Sequence, residues 1–304
     1  MFGVRWRNPV LLASGTAGFG REVADVVALD ALGGLVTKAV SLEPRHGNRA
    51  PRVAEIRGAM LNSIGLANPG LAAVKAEHLP WLRAHGGELR VVVNVVGAAV
   101  ADFAAVVAGL RDEAGITAFE LNVSCPNVTR GGVEFGAEEH VLVDLVRRAR
   151  AETDRPLIVK LSAALPDPGR MAAAAAAAGA DGFTCVNTLP AFAFGEGGGP
   201  RLGNGSGGLS GPPLLSVGVQ MTRVVARETG TPVIGAGGIT TGADAQQYLR
   251  AGASLVAIGT AALADPRAPE RVARELASLA RETAGQVERR AASAPVPATA
   301  AGEA

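Results

Sequence analysis

Eight short runs rich in Val, Ile and Leu, separated by longer segments of helical character, predict an α/β chain folded as a single (β/α)8 TIM barrel. Continuous apolar runs suit parallel strands buried on both faces, and eight of them in regular alternation favour a closed barrel over an open doubly wound sheet. The runs also share a polar or glycine-rich C-terminal end, which is the end at which such barrels assemble their sites. Length alone, at 304 residues, would fit one large domain or two small ones.

In chain order the expected strands are "PVLLASG" (9–15), "GLVTKAV" (34–40), "RVVVNVVG" (90–97), "AFELNVS" (118–124), "PLIVKLS" (156–162), "GFTCVNT" (182–188), "PVIGAGG" (232–238) and "SLVAIGT" (254–260). Helical character is read at 99–114, 138–153, 168–179, 212–229 and 242–251. The run "MAAAAAAAGA" (171–180) is a strong helix former stopped at Gly179, and the last helix opens at Thr241 or Gly242 and stops at Gly252.

Two connections, 41–67 and 189–210, exceed the roughly two to six residues usual in such folds. Long ordered loops in compact domains tend to be functional, and both are expected over the same end of the barrel. The second is too glycine-rich to be helical. Residues 1–286 are expected to form the barrel domain and 287–304 a disordered tail, whose end "AASAPVPATAAGEA" (291–304) is Ala/Pro low complexity without periodicity.

Apolar residues at 48 % and charged residues at 19 % supply material for a large core. The net charge of +1 and the scatter of basic residues argue against nucleic acid as partner. No apolar run reaches the roughly 18 residues that span a bilayer, and the start lacks a signal peptide's apolar stretch, so no membrane role and a cytoplasmic location are expected. Two cysteines, Cys125 and Cys185, are too few for a disulfide framework or a metal cluster, so no metal site is expected and any sulfur chemistry rests on a single thiol.

The strand ends deliver Ser14, Lys38, Asn94, Asn122 with Cys125 just beyond, Lys160, and Asn187 with Thr188. Each alone reads equally as a satisfied polar residue, but six strands ending alike at one rim describe a site. The last two strands end in "GAGGI" (235–239) and "IGT" (258–260), where glycines let backbone N–H groups approach a phosphate. A phosphate at one rim with two lysines and several carboxamides at the centre suits flavin mononucleotide, and Lys160 could stabilise the charge of the reduced ring. Cys125 reads either as an inert buried cysteine or as a base. A thiol near pKa ~8.5 needs modest help from a cation such as Lys38, and Pro126 biases its backbone toward a presenting loop. Cys185, inside a strand, reads as inert. Arg45 and Arg52 in the long second loop are positive groups near the site, while His46, His78, His85 and His140 read as surface residues.

The segments "NPVLLASGTAGFG", "LVTKAVSLEPRHGNRAPR", "MLNSIGLANPG", "ELNVSCPNV" with "GGVEFG", "IVKLS", "CVNTL", "GGLSGP", "PVIGAGGITTGADA" and "GASLVAIGTA" cover residues 3–283. Through them the chain resembles the class 1 dihydroorotate dehydrogenases, most closely the class 1B catalytic subunit. The resemblance implies a (β/α)8 barrel with bound FMN that oxidises (S)-dihydroorotate to orotate in de novo pyrimidine biosynthesis. It implies that Ser14, Lys38, Ala39, Asn94, Asn122, Lys160, Val186, Gly211, Gly237, Gly238, Gly259 and Thr260 contact FMN. It places Lys38, Asn62, Ser63, Ile64, Gly65, Leu66, Asn122, Asn187 and Thr188 around the substrate, with Lys38 also counted in the catalytic centre. Cys125 matches the catalytic base, whose thiolate takes a proton from carbon 5 while a hydride leaves carbon 6 for the flavin.

The same resemblance implies a separate FAD and 2Fe–2S subunit passing electrons to NAD, and further copies of the chain in a homo-oligomer. The segment after "CVNTL" departs from the family: "PAFAFGEGGGPRLGN" stands where a Gly-Met-Ala-Ile-Asp type segment is usual. This leaves open a flavin oxidoreductase for another dihydropyrimidine or specialised metabolite. From a different class, a barrel that binds a phosphate ligand without redox chemistry is set against the joint presence of Lys38, Cys125 and Lys160.

Overall fold

The apolar runs hydrogen-bond to one another in chain order and close on themselves. In the computed structural model, which describes residues 1–124 and 134–292 with side chains as far as 282, eight parallel strands form a closed barrel. They are β1 (Val10–Leu12), β2 (Gly34–Val36), β5 (Arg90–Val95), β6 (Ile116–Asn122), β7 (Leu157–Leu161), β8 (Gly182–Cys185), β11 (Val233–Ala236) and β12 (Leu255–Ile258). Their order around the barrel is β1-β12-β11-β8-β7-β6-β5-β2, so every strand pairs with its neighbours in this series and β2 pairs with β1 to close it.

Alternation along each strand divides the core in two. One cluster, including Leu11, Val36, Val92, Ala118, Ile158, Ile234 and Leu255, fills the barrel's interior, with Phe2 and Trp6 packed against it. The neighbouring positions, such as Leu12, Leu35, Val93, Phe119, Val159, Phe183 and Val256, belong to the larger cluster beneath the helices. Two residues on from the interior apolar layer, the same faces carry Asn94, Glu120 and Lys160.

The helices follow the expected segments: α3 (Val100–Leu110), α4 (Glu139–Ala151), α5 (Pro168–Ala177), α6 (Leu215–Thr229) and α7 (Gly242–Arg250). α7 opens on a reciprocal cap in which Thr241 accepts from the Asp244 N–H while Asp244 accepts from the Thr241 N–H. The connection from β1 to β2 is different, since it consists of turns and a single 3-10 turn at Leu29–Ala31. After β2 the chain forms α1 (Gly70–Ala73) and α2 (Leu79–His85), joined through a π-helical turn. The final helices are α8 (Thr260–Ala264) and α9 (Ala268–Ala292). The latter is helical through 287–292, the start of the segment read from sequence as a tail, and 293–304 lie outside the described residues.

The two long connections are not simple loops. They supply β3 (Val53–Ile56) and β4 (Ala59–Asn62) from one, and β9 (Leu189–Ala191) and β10 (Gly207–Ser210) from the other, and these pair as an antiparallel sheet ordered β3-β4-β10-β9. The β4–β10 pairing, Gly208 with Asn62 and Leu209 with Leu61, ties the second barrel connection to the sixth.

Candidate functional site

The strand ends and the small sheet enclose a cavity of about 1010 Å³. The strand-end set Ser14, Lys38, Ala39, Asn94, Asn122, Lys160 and Val186 lines it, as do Gly211, Gly237, Gly238, Gly259 and Thr260. So do Asn62, Ser63, Ile64, Gly65 and Leu66 from the β4 side, and Asn187 with Thr188 from the end of β8. Every site residue expected from sequence, apart from Cys125, therefore meets at one place. Cys125 lies outside the described residues, as does Pro126. Regular pairing ends earlier than expected on every barrel strand, most of all on three: β1 stops at Leu12, β2 at Val36 and β8 at Cys185. Ser14, Lys38 and Asn187 thus stand on the loops just past their strands, where the backbone is free to turn toward the cavity.

Local hydrogen bonds fix the polar set. Ser14 Oγ donates to the Thr37 carbonyl at 2.8 Å, and the Asn94 N–H donates to Thr37 Oγ1 at 3.2 Å. Asn187 Nδ2 donates to Asn122 Oδ1 at 3.2 Å, while Asn187 Oδ1 accepts from the Thr188 N–H at 2.9 Å. Across the sheet, Asn62 Nδ2 reaches the Gly208 carbonyl at 3.4 Å, and Asn48 Nδ2 donates to Ser63 Oγ at 2.8 Å. The 62–66 turn is thereby held from both sides, by β10 and by Asn48 of its own connection.

The glycine rim is built for close approach. Gly237 and Gly238 have φ of +117° and +73°, and a Cβ on Gly238 would lie 2.5 Å from the Leu215 nitrogen. Tyr248, buried in α7, braces this turn from beneath by donating to the carbonyls of Ala236 (3.0 Å) and Gly237 (2.7 Å).

Several features were missed or misread in the sequence. Glu120, 1 % exposed, accepts from Asn94 Nδ2 at 2.7 Å and Thr184 Oγ1 at 2.6 Å and stands 3.8 Å from Lys160 Nζ. Asn94 Oδ1 is left buried with no protein partner among the described residues. Glu134 also lines the cavity, where burial raises its carboxyl above the usual range against a hydrogen bond from Ser162. Its sequence signal was an acid inside the quoted "GGVEFG". Of the two loop arginines, Arg45 lines the cavity, but Arg52 is committed to its own loop, donating to the carbonyls of Asn48 (2.5 Å) and His46 (2.9 Å). His78 is half-buried, stacked 4.1 Å from the Phe19 ring, which corrects its reading as a surface residue; His46, His85 and His140 are exposed. Cys185 is fully buried in β8, and burial pushes its thiol far up, in keeping with an inert cysteine.

The cavity thus offers two ammonium groups, several carboxamides, an open acceptor and a glycine rim, a set that binds a polar ring system bearing an anionic group. A family model described as dihydroorotate dehydrogenase matches residues 1–279. Among curated proteins, the chain is 42 % identical over 275 residues to a Citrifermentans bemidjiense protein named dihydroorotate dehydrogenase B (NAD(+)), catalytic subunit, covering 90 % of each chain. A Cutibacterium acnes protein of the same name is 45 % identical over 267 residues, 88 % of this chain and 87 % of its own. A Solibacter usitatus protein, provisionally named dihydroorotate dehydrogenase A (fumarate), is 46 % identical over 275 residues, 90 % of each chain.

Proposed function

The chain belongs to the dihydroorotate dehydrogenase family, and from that premise we propose that it oxidises (S)-dihydroorotate to orotate with FMN, using Cys125 as base. The observation that carries this reading is the gathering of Lys38, Asn94, Asn122, Lys160 and Asn187 with the 62–66 turn around one cavity. The alternative of a non-redox phosphate-binding barrel leaves two buried-end lysines and the carboxamide set without a purpose.

The residues present fit FMN. Asn94 Oδ1, buried and unpartnered among the described residues, is an acceptor awaiting a ligand N–H, and such an atom is costly unless a ligand meets it. Gly237 and Gly238, both at positive φ and the second placed where a Cβ would strike Leu215, leave the backbone open to a phosphate. In this reading Ser14, Ala39, Val186, Gly211, Gly259 and Thr260 complete the cofactor contacts. Held by these residues, FMN would supply the acceptor for the hydride that leaves carbon 6 of the substrate. Lys160 holds positive charge at the barrel's mouth, where negative charge develops. Asn62, Asn122, Asn187 and Thr188 would orient the substrate ring and its carboxylate, with Lys38 counted among the contacts of both cofactor and substrate. Ser63, Ile64, Gly65 and Leu66 exclude water from the reacting face. Cys125 takes the proton from carbon 5.

Electrons are proposed to pass to NAD through a separate subunit, as the names of the B-type relatives suggest, and the family resemblance implies that this subunit carries FAD and a 2Fe–2S cluster. With two cysteines in the whole chain, one of them buried in β8, the chain has no ligands for a cluster of its own. The enzyme is read as a cytoplasmic homo-oligomer, and no described helix is long and apolar enough to cross a membrane. Anaerobic mixing of the yellow protein with dihydroorotate should bleach the flavin rapidly, whereas persistence of the oxidised spectrum would point to another dihydropyrimidine. Cys125→Ala should retain FMN and lose nearly all flavin reduction; normal turnover in that variant would overturn the assignment. NAD reduction should require the co-purifying iron–sulfur flavoprotein, and turnover of the isolated chain with fumarate would instead place it with the A-type relative.

A further inference from the structure

Glu120 sits in the middle of β6, 1 % exposed, directly beyond the apolar layer that fills the barrel. A lone carboxylate there would be strongly disfavoured, and an apolar side chain of similar volume would serve the core at least as well. Instead three strands turn polar groups toward it: Asn94 Nδ2 from β5 at 2.7 Å, Thr184 Oγ1 from β8 at 2.6 Å, and Lys160 Nζ from β7 at 3.8 Å.

The chemistry of each contact is directional. A carboxylate only accepts, so the edge of Asn94 that faces it is the NH₂, and Oδ1 is turned away, buried and without a partner among the described residues, in a residue that lines the cavity. The separation from Lys160 is too long for a hydrogen bond but short for two charges. The carboxylate therefore tempers the ammonium without consuming its N–H donors, which stay available to the cavity.

We propose that Glu120 is a positioning residue for the cofactor, setting the orientation of the Asn94 carboxamide and the net charge that Lys160 presents to the bound ring. This rests on the FMN reading above. Glu120 thereby limits how strongly the two-electron-reduced, more negative ring is favoured over the oxidised one. Removing its charge should tighten binding of the reduced form relative to the oxidised form.

The test is Glu120→Gln, which keeps shape and hydrogen-bonding capacity, with Glu120→Asp as the charge-conserving partner. The readout is the midpoint potential of bound against free FMN, which gives the ratio of dissociation constants for the two redox forms. For Glu120→Gln the ratio should move roughly tenfold toward the reduced form, an upward shift of about 30 mV for a two-electron couple. Glu120→Asp should change that ratio less than about twofold while weakening oxidised FMN roughly tenfold, because the shorter side chain no longer holds the Asn94 amide. If Glu120→Gln does not fold, Glu120→Asp tests the orientation of the Asn94 carboxamide, and oxidised FMN bound as tightly as in the wild type would overturn the proposal. An unchanged potential in the glutamine variant, or an equal shift in both variants, would overturn the proposal, since a merely structural role would weaken both redox forms alike. Wild-type protein that rejects FMN would instead sink the cofactor reading itself.

Discussion

The small sheet makes a sharp demand at Gly208. In β10 this residue pairs with Asn62 of β4 on one side and Pro190 of β9 on the other. A Cβ built on Gly208 would lie 2.0 Å from Thr188 Oγ1 and 2.6 Å from Thr188 Cβ. Rotating Thr188 about χ1 moves the hydroxyl but not its Cβ, so Gly208→Ala must shift the Thr188 backbone or part β9 from β10. Overpacking of this kind costs about 1–3 kcal/mol. At about 1.4 kcal/mol per decade, that is roughly 5- to 150-fold in the affinity of a ligand that Thr188 and Asn62 contact. The glycine rim at 237–238 follows β11 and Lys160 stands in β7, both outside this sheet. Titration of the flavin absorbance with orotate should show the weakened affinity, while FMN content and circular dichroism match the wild type. Orotate binding within twofold of wild type would refute the role given to the sheet, and a parallel loss of FMN would refute its separation from the cofactor side.

Tyr248→Phe removes the only hydroxyl bracing the Ala236 and Gly237 carbonyls among the described residues. The Ala236 carbonyl keeps the Val186 N–H at 2.8 Å, but leaving the Gly237 carbonyl unmet costs about 1–3 kcal/mol, so FMN affinity should fall at least fivefold and the thermal midpoint by several degrees; equal FMN affinity in a calorimetric titration would count against the brace. His78 has its pKa held below the ordinary 6.5, chiefly by burial with help from Arg21 and against Glu22 and Glu77. The unfolded chain therefore binds a proton that the folded one resists, and stability should fall as pH drops below about 6.5. Urea midpoints at pH 7.5 and 5.5 should differ less in His78→Gln than in wild type; an identical pH slope would remove His78 as the source.

The barrel was legible because its signal is local and repeated: eight apolar runs, each followed by a polar or glycine-rich end, leave few other ways to bury both faces of a parallel sheet. The site was legible for the same reason, since Lys38, Asn94, Asn122, Lys160 and Asn187 all stand where an apolar run stops. The small sheet was not. Its strands are three or four residues long, β10 reads "GGLS", and the β4–β10 contact joins residues 146 positions apart. Neither propensity nor alternation marks such pieces, and only the tertiary fold brings them together. Glu120 was passed over because it lies inside a run otherwise read as core. The available signal was cost: an acid between Phe119 and Leu121 on a buried strand must have partners, and its i+2 neighbour Asn122 shows which face they occupy. Arg52 shows why charge near a site is a weak signal, since it says nothing about what the guanidinium already binds.

This division of labour bears on the divergent segment "PAFAFGEGGGPRLGN", residues 190–204. It forms the β9–β10 connection, and of its residues Pro190 at the start and Asn204 at the end line the cavity. Its middle faces solvent, with Phe192 and Phe194 50 % and 71 % exposed and packed edge to face on each other. The groups proposed to recognise the substrate come instead from β4 and its turn, from β6 and from the end of β8, all within segments that match the family. A change confined to the outer connection alters how the cavity is entered more than what it contacts. The departure that first raised a different substrate therefore weighs less once the strands are paired, and dihydroorotate remains the ligand that the inner surface suits best. Asn204 is the place where that argument is weakest, since it alone carries a polar side chain from the divergent segment into the cavity. Asn204→Ala should accordingly leave FMN binding intact and change orotate affinity less than fivefold; a larger loss, read in the same absorbance titration, would return substrate choice to the outer connection.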